Sequence, residues 1–149
     1  MMKARKHIGL VAHDEMKKDL LEWVIYNQET LVKHELFATG TTGKLIAQQC
    51  PTLTLNLLKS GPLGGDQQLG SMISSGELDV LIFFWDALQV HAHASDILAL
   101  QRIAVVYNIV LACDRATADF VLSSPLFQHA YEPALKVYLE YLNRDIPGV

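Results

Sequence analysis

Carboxylates, imidazoles, hydroxyls and glycines recur in short clusters along this 149-residue chain. His13 and Asp14 stand together, with Lys17 one helical turn further on. Thr39-Gly40-Thr41-Thr42-Gly43 follows, then Ser60-Gly61, then Gly64-Gly65-Asp66. Asp86 opens a last cluster that holds His91, His93 and Asp96. Small residues at a helix start leave backbone N–H groups uncovered, and hydroxyls add donors, so the Thr-Gly and Ser-Gly stretches suit an anion such as phosphate. A carboxylate beside an imidazole suits proton transfer. The residue types together point to acid–base chemistry on an anionic substrate.

Each motif also has a structural reading. ATGTTGK looks superficially like a P-loop. A Walker A motif needs Gly where Ala38 stands and Ser or Thr where Leu45 stands, which argues against a nucleoside triphosphatase. Thr41 or Thr42 could simply cap a helix, and so could Asp66 after its three glycines and proline. Asp86 could cap the loop after its strand. Lys17 and Lys18 fall in a first helical turn if Asp14 is the cap, where the helix dipole opposes cations by about 0.3–1 kcal/mol each. A bound phosphate beside His13 would reverse that cost.

The elements that carry these residues alternate. Ile8–Ala12, Leu36–Ala38, Leu53–Leu58, Val80–Trp85 and Ile109–Ala112 read as strands, mostly continuous apolar runs of the kind covered on both faces. Between them, Met16, Leu20, Trp23 and Val24 fall on one helical face, as do Ile97, Leu100, Ala104 and Tyr107, and later Leu135, Tyr138, Leu139 and Leu142. The pattern predicts one α/β domain over 1–149: a five-stranded, mostly parallel sheet with helices on both faces, a flavodoxin- or Rossmann-like three-layer fold. Ligands of such sheets bind outside the carboxyl ends of the strands. Every cluster above follows a strand.

Composition bounds the rest. Half the residues are apolar, 19% are charged, and the net charge is −4. That balance suits a globular domain and excludes disorder and a primarily nucleic-acid-binding role. A chain this long buries about 70% of its unfolded surface and needs no metal or disulfide to fold. The longest strongly apolar uncharged stretch, Ile103–Cys113, is too short for the roughly 20 residues of a membrane span. The basic amino terminus leads into an apolar run that ends at Ala12, which is not a signal peptide's h-region. Cys50 and Cys113 fit no zinc or redox spacing, so free thiols and a cytoplasmic location are expected.

Taken in order, HIGLVAHD with Lys17, FATGTTG, SGPLGGDQQ, DVLIFFWD with His93 and Asp96, and ATADF closely resemble the methylglyoxal synthase family from about Lys6 to Phe120. GGDQQ together with FFWD is far more specific than any single glycine-rich loop. The resemblance implies cofactor-free conversion of dihydroxyacetone phosphate to methylglyoxal and inorganic phosphate, with no metal. It implies phosphate and substrate contacts at His13, Lys17, Thr39, Gly40, Thr41, Thr42, Ser60 and Gly61. It implies Asp66 as the base, His93 as the group polarising the carbonyl, and Asp14, Asp86 and Asp96 as further active-site carboxylates. A homohexamer inhibited by phosphate is also implied.

The chain departs from the family around His93. Ala87, Ala92 and Ser95 stand where prolines are usual, and Ala94 where a carboxylate is usual, which predicts a looser loop. Cys113-Asp114 replaces a usual Thr-Asn pair, and the regulatory C-terminal arginine aligns only loosely with Arg144. His91 is a second imidazole on the same loop, although spacing favours His93. Two other classes share parts of this pattern. A regulatory effector-binding module needs the anion cradle but neither Asp66 nor His93. A sugar-phosphate isomerase needs similar acid–base groups and differs in its product.

Overall fold

The computed structural model describes residues 1–144, so Pro147 and the rest of the tail lie outside the described residues. Five strands form one sheet: β1 (His7–Ala12), β2 (Glu35–Thr39), β3 (Leu55–Leu58), β4 (Val80–Phe84) and β5 (Val110–Ala112). Their order is β3-β2-β1-β4-β5 and every neighbouring pair is parallel. This is the Rossmann order 3-2-1-4-5 rather than the flavodoxin order. An isolated antiparallel bridge, Met2 to Tyr131, lies outside the sheet.

Among the described residues, seven α-helices accompany the sheet: α1 (Lys17–Tyr26), α2 (Gln28–Leu31), α3 (Gly40–Gln49), α4 (Gly65–Ser74), α5 (Ala94–Val106), α6 (Arg115–Ser123) and α7 (Lys136–Leu142). Strand alternation sorts the core. Val80, Ile82 and Phe84 of β4 pack with Leu20 and Trp23 of α1, Ile46 of α3 and Leu122 of α6. Leu81 and Phe83 point the other way, to Leu69 and Ile73 of α4 and Ile97 and Leu100 of α5. β4 is buried on both faces, which is why its sequence is apolar without alternation. Among the described residues, no helix is long and apolar enough to cross a membrane.

The differences from the sequence reading are local. β3 begins at Leu55, because Cys50–Leu53 closes a turn through the Leu53 N–H to the Cys50 carbonyl. Leu53 still fills the core, so its apolarity marks a buried turn. β4 stops at Phe84, and Trp85 is partly exposed. Asp14 is not a helix cap. It opens a short 3₁₀ turn, Asp14–Met16, that runs into α1 at Lys17. α7 forms where the periodicity placed a helix, but Leu139 and Leu142 on its apolar stripe are exposed.

Candidate active site

The chain leaves β1 toward β2 and β3 on one side of the sheet, and β4 and β5 lie on the other. The carboxyl ends of β1 and β4 therefore flank the topological switch point, where open α/β sheets bind ligands. A cleft of about 590 Å³ opens there. All eight residues expected to contact phosphate line it: His13, Lys17, Thr39, Gly40, Thr41, Thr42, Ser60 and Gly61. Asp14, Asp66, Asp86 and His93 line it too. Asp96 does not. It sits in the first turn of α5, beside a groove between α4 and α5, with a carboxylate oxygen within 4.8 Å of polar atoms of Asp66 and His93.

The anion-facing half is built from the ends of β1, β2 and β3. Thr39 in extended backbone is the N-cap of α3, so Thr41 and Thr42 lie inside the first turn and neither is a cap. The first N–H groups of a helix have no intrahelical acceptor, and the first residues of α3, Gly40 to Thr42, line the cleft. Gly40 has φ +49°, and a Cβ there would come within 2.9 Å of the Ser60 Cβ, so the two loops touch at a position only glycine fills. Among the described residues on the wall, Lys17 is the one lysine or arginine. Its ammonium is paired with the exposed Asp14 carboxylate, which holds Asp14 below the usual carboxylate range.

The acid–base half lies opposite. Gly64, with φ +107°, is the N-cap of α4, so Asp66 is a buried first-turn residue and its side chain caps nothing. His93 is the N-cap of α5 and points its Nδ1 at Asp66 Oδ2, 2.7 Å away. Gly61 is packed against this pair: a Cβ there would lie 3.0 Å from His93 Cε1 and 3.1 Å from Asp66 Oδ1. An ionised carboxylate only accepts, so the His93 Nδ1–H is donated to it; in the neutral tautomer of that ring the lone pair is on Nε2.

His13 has the opposite polarity. Its Nδ1 accepts the Asp86 N–H at 2.9 Å, so the neutral ring carries its hydrogen on Nε2. Burial, reinforced by His91 and His93, pushes the His13 imidazole down to about 4 against the pull of Asp86 and Asp14. The Asp86 carboxylate turns back to accept the Leu88 N–H at 3.2 Å.

Four buried side-chain polar atoms among the described residues have no partner, and three belong to this cleft: His13 Nε2, Thr42 Oγ1 and Asp66 Oδ1. Each such atom costs about 1–3 kcal/mol when left unpaired, and more when charged. Three together mark a site shaped for a donor–acceptor ligand rather than for the protein's own stability. Gln89 and His91 also line the cleft. The sequence reading missed Gln89, for which a polar side chain in the loop after β4 was the only signal, and it placed His91 on that loop only as a second imidazole beside the favoured His93.

The fold and cleft define a doubly wound α/β enzyme domain in which a hydroxyl- and glycine-rich wall shares one cleft with a carboxylate–imidazole pair. Residues 19–113 match the family model described as an MGS-like domain. The chain is 53% identical over 143 residues to a methylglyoxal synthase of Oleidesulfovibrio alaskensis, covering 96% of this chain and 97% of that one. It is 51% identical to a methylglyoxal synthase of Coxiella burnetii, covering 95% and 98%. A crystal structure of methylglyoxal synthase from Elizabethkingia anophelis is similar with a TM-score of 0.89 at 49% identity, covering 99% and 97%. The chain belongs to the methylglyoxal synthase family, and so to the carbon–oxygen lyases.

Proposed function

We propose that this chain converts dihydroxyacetone phosphate to methylglyoxal and inorganic phosphate through an enediolate, in the cytoplasm and without a cofactor. The observation that carries the reading is the convergence of three unpartnered buried polar atoms on one cleft. Each has a place in the reaction. Asp66 Oδ1 takes the proton from the hydroxyl-bearing carbon. A carboxylate is a weak base for a carbon acid, so the carbonyl oxygen must be stabilised as charge develops. The sequence reading assigned that donor to His93. With the His93 Nδ1–H donated to Asp66, the neutral ring with a free N–H is His13, and we assign the donor to it.

His93 then has two tasks: its Nδ1–H fixes the carboxylate, and its Nε2 lone pair accepts the hydroxyl proton as electrons move from that oxygen to expel phosphate. Thr39 through Thr42, Ser60, Gly61 and Lys17 hold the phosphate with its C–O bond perpendicular to the enediolate plane, where elimination outruns isomerisation. Asp14 positions the Lys17 ammonium. Asp86 holds His13 through its backbone N–H, and Asp96 supports His93 from the α5 side.

A regulatory module would need no Asp66–His93 pair, and an isomerase would release no phosphate. The test incubates purified protein with dihydroxyacetone phosphate and assays methylglyoxal and free phosphate together. Equimolar appearance of both supports the proposal. Glyceraldehyde 3-phosphate without free phosphate would support the isomerase.

A further inference from the structure

His91 has no role in the reaction derived above, yet it makes the closest ring contact in the cleft. Its imidazole lies face to face on His13, with centroids 3.6 Å apart and planes 16° apart. Its Nε2 lies 3.0 Å from the Asp86 carbonyl oxygen. A carbonyl only accepts, so His91 Nε2 carries a hydrogen and donates it. The same residue, Asp86, gives its N–H to His13 Nδ1. The two polar groups of one backbone residue thus tie two stacked imidazoles, one through its acceptor nitrogen and one through its donor. His13 also meets Phe83 edge to face, with centroids 5.1 Å apart.

We infer that His91 is a positioning residue. Stacked on His13 and anchored to Asp86, it keeps the His13 ring clamped against Phe83, neutral and with its Nε2–H aimed into the cleft. The inference rests on the proposed donor role of His13.

Three features support the clamp. His13 is buried although it stands at the cleft, and the His91 ring covers it. The neighbouring loop side chains Leu88 and Val90 are almost fully exposed and do not cover His13. Protonating His13 would place a hydrogen on Nδ1 against the Asp86 N–H, and a cation against the His91 ring. The titratable groups facing His13 are His91 and His93, which disfavour its charge, and Asp86 and Asp14, which favour it. The clamp is decided by the balance between these and burial.

The test compares wild type with His91→Ala, which loses both stack and anchor, and His91→Phe, which keeps the stack and the cover. Side-chain nitrogen NMR of the ligand-free protein reads the His13 titration and tautomer directly, and kcat/KM against pH reads its consequence. The expected result is a His13 midpoint in His91→Ala raised from about 4 toward the ordinary histidine value near 6.5. The acid limb of kcat/KM should follow, with roughly a tenfold loss at pH 5. His91→Phe should restore most of both. A His13 midpoint unmoved in His91→Ala, or moved as far in His91→Phe, overturns the inference. If the midpoint moves as expected while the kcat/KM limb stays in place, the clamp stands, and the donor role of His13 is what fails.

Discussion

Asp66 and His93, 27 positions apart in sequence, meet at 2.7 Å because Gly61 has no side chain to separate them. The carboxylate comes from the first turn of α4 and the ring from the start of α5, two helices packed on the same face of the sheet. Their contact uses one oxygen of Asp66 and leaves the other, Oδ1, buried and free.

Gly61→Ala tests that geometry. The added carbon must push either the ring or the carboxylate by a few tenths of an ångström. Displacements of the order of 1 Å in a catalytic group cost roughly 10²-fold in rate. The expected result is kcat lowered by about tenfold or more with thermal unfolding close to wild type. Unchanged kcat would mean that the pair tolerates separation.

Lys17→Ala tests the anion cradle. Hydrogen bonds to charged groups contribute about 1.5–3 kcal/mol, so KM for substrate and the dissociation constant for inorganic phosphate should both rise by roughly tenfold or more. Calorimetric titration with phosphate measures the second without turnover. Unchanged affinity for both ligands would remove Lys17 from the cradle.

The folded-state titration of His13 makes a stability prediction. Its pKa lies near 4 when folded and near 6.5 when unfolded, so between those values the unfolded chain binds more protons. Stability should therefore hold above pH 6.5, fall as the pH drops toward 4, and level off below. Burial depresses His34 as well, so it contributes in the same direction. In urea melts, His13→Asn should lose less stability than wild type between pH 7 and pH 4.5. An identical loss in both proteins would contradict a buried neutral His13.

The exposed apolar residues predict assembly. Leu88 and Val90 near the cleft and Leu139 and Leu142 on α7 stay uncovered in a single chain. The family resemblance implies six copies, so light scattering at micromolar concentration should give about six times the 16.6 kDa chain mass. An active monomer would show that the family's assembly has been lost in this chain.

The strands were legible because parallel strands buried on both faces leave uninterrupted apolar runs, as in Val80–Phe84. The location of the cleft followed from topology, since every polar cluster comes directly after a strand. What stayed hidden depends on caps and on contacts between loops. Thr41, Thr42, Asp14 and Asp66 all have cap-forming side chains, and none of them caps a helix. Those side chains face the cleft or a neighbour instead, which no local pattern encodes. Arg144 stacks over Tyr141 and donates to its hydroxyl, a local contact that gives it no link to the cleft. The His13–His91 stack needs two loops brought together across 78 positions.

Asp66→Asn tests the central claim most directly. Asparagine keeps the shape of the side chain and can hold a contact with His93, so the protein should fold and bind phosphate nearly as wild type. It lacks a carboxylate to accept a carbon-bound proton, a role worth about 10²–10⁴-fold. The measurement is paired: the rate of methylglyoxal formation, and the rate at which the C3 hydrogen of dihydroxyacetone phosphate exchanges with deuterated water. Both should collapse together. Exchange that persists while methylglyoxal formation fails would place Asp66 after deprotonation and move the base to another carboxylate, Asp14 or Asp96. Survival of both rates would contradict the assignment of Asp66 as the base.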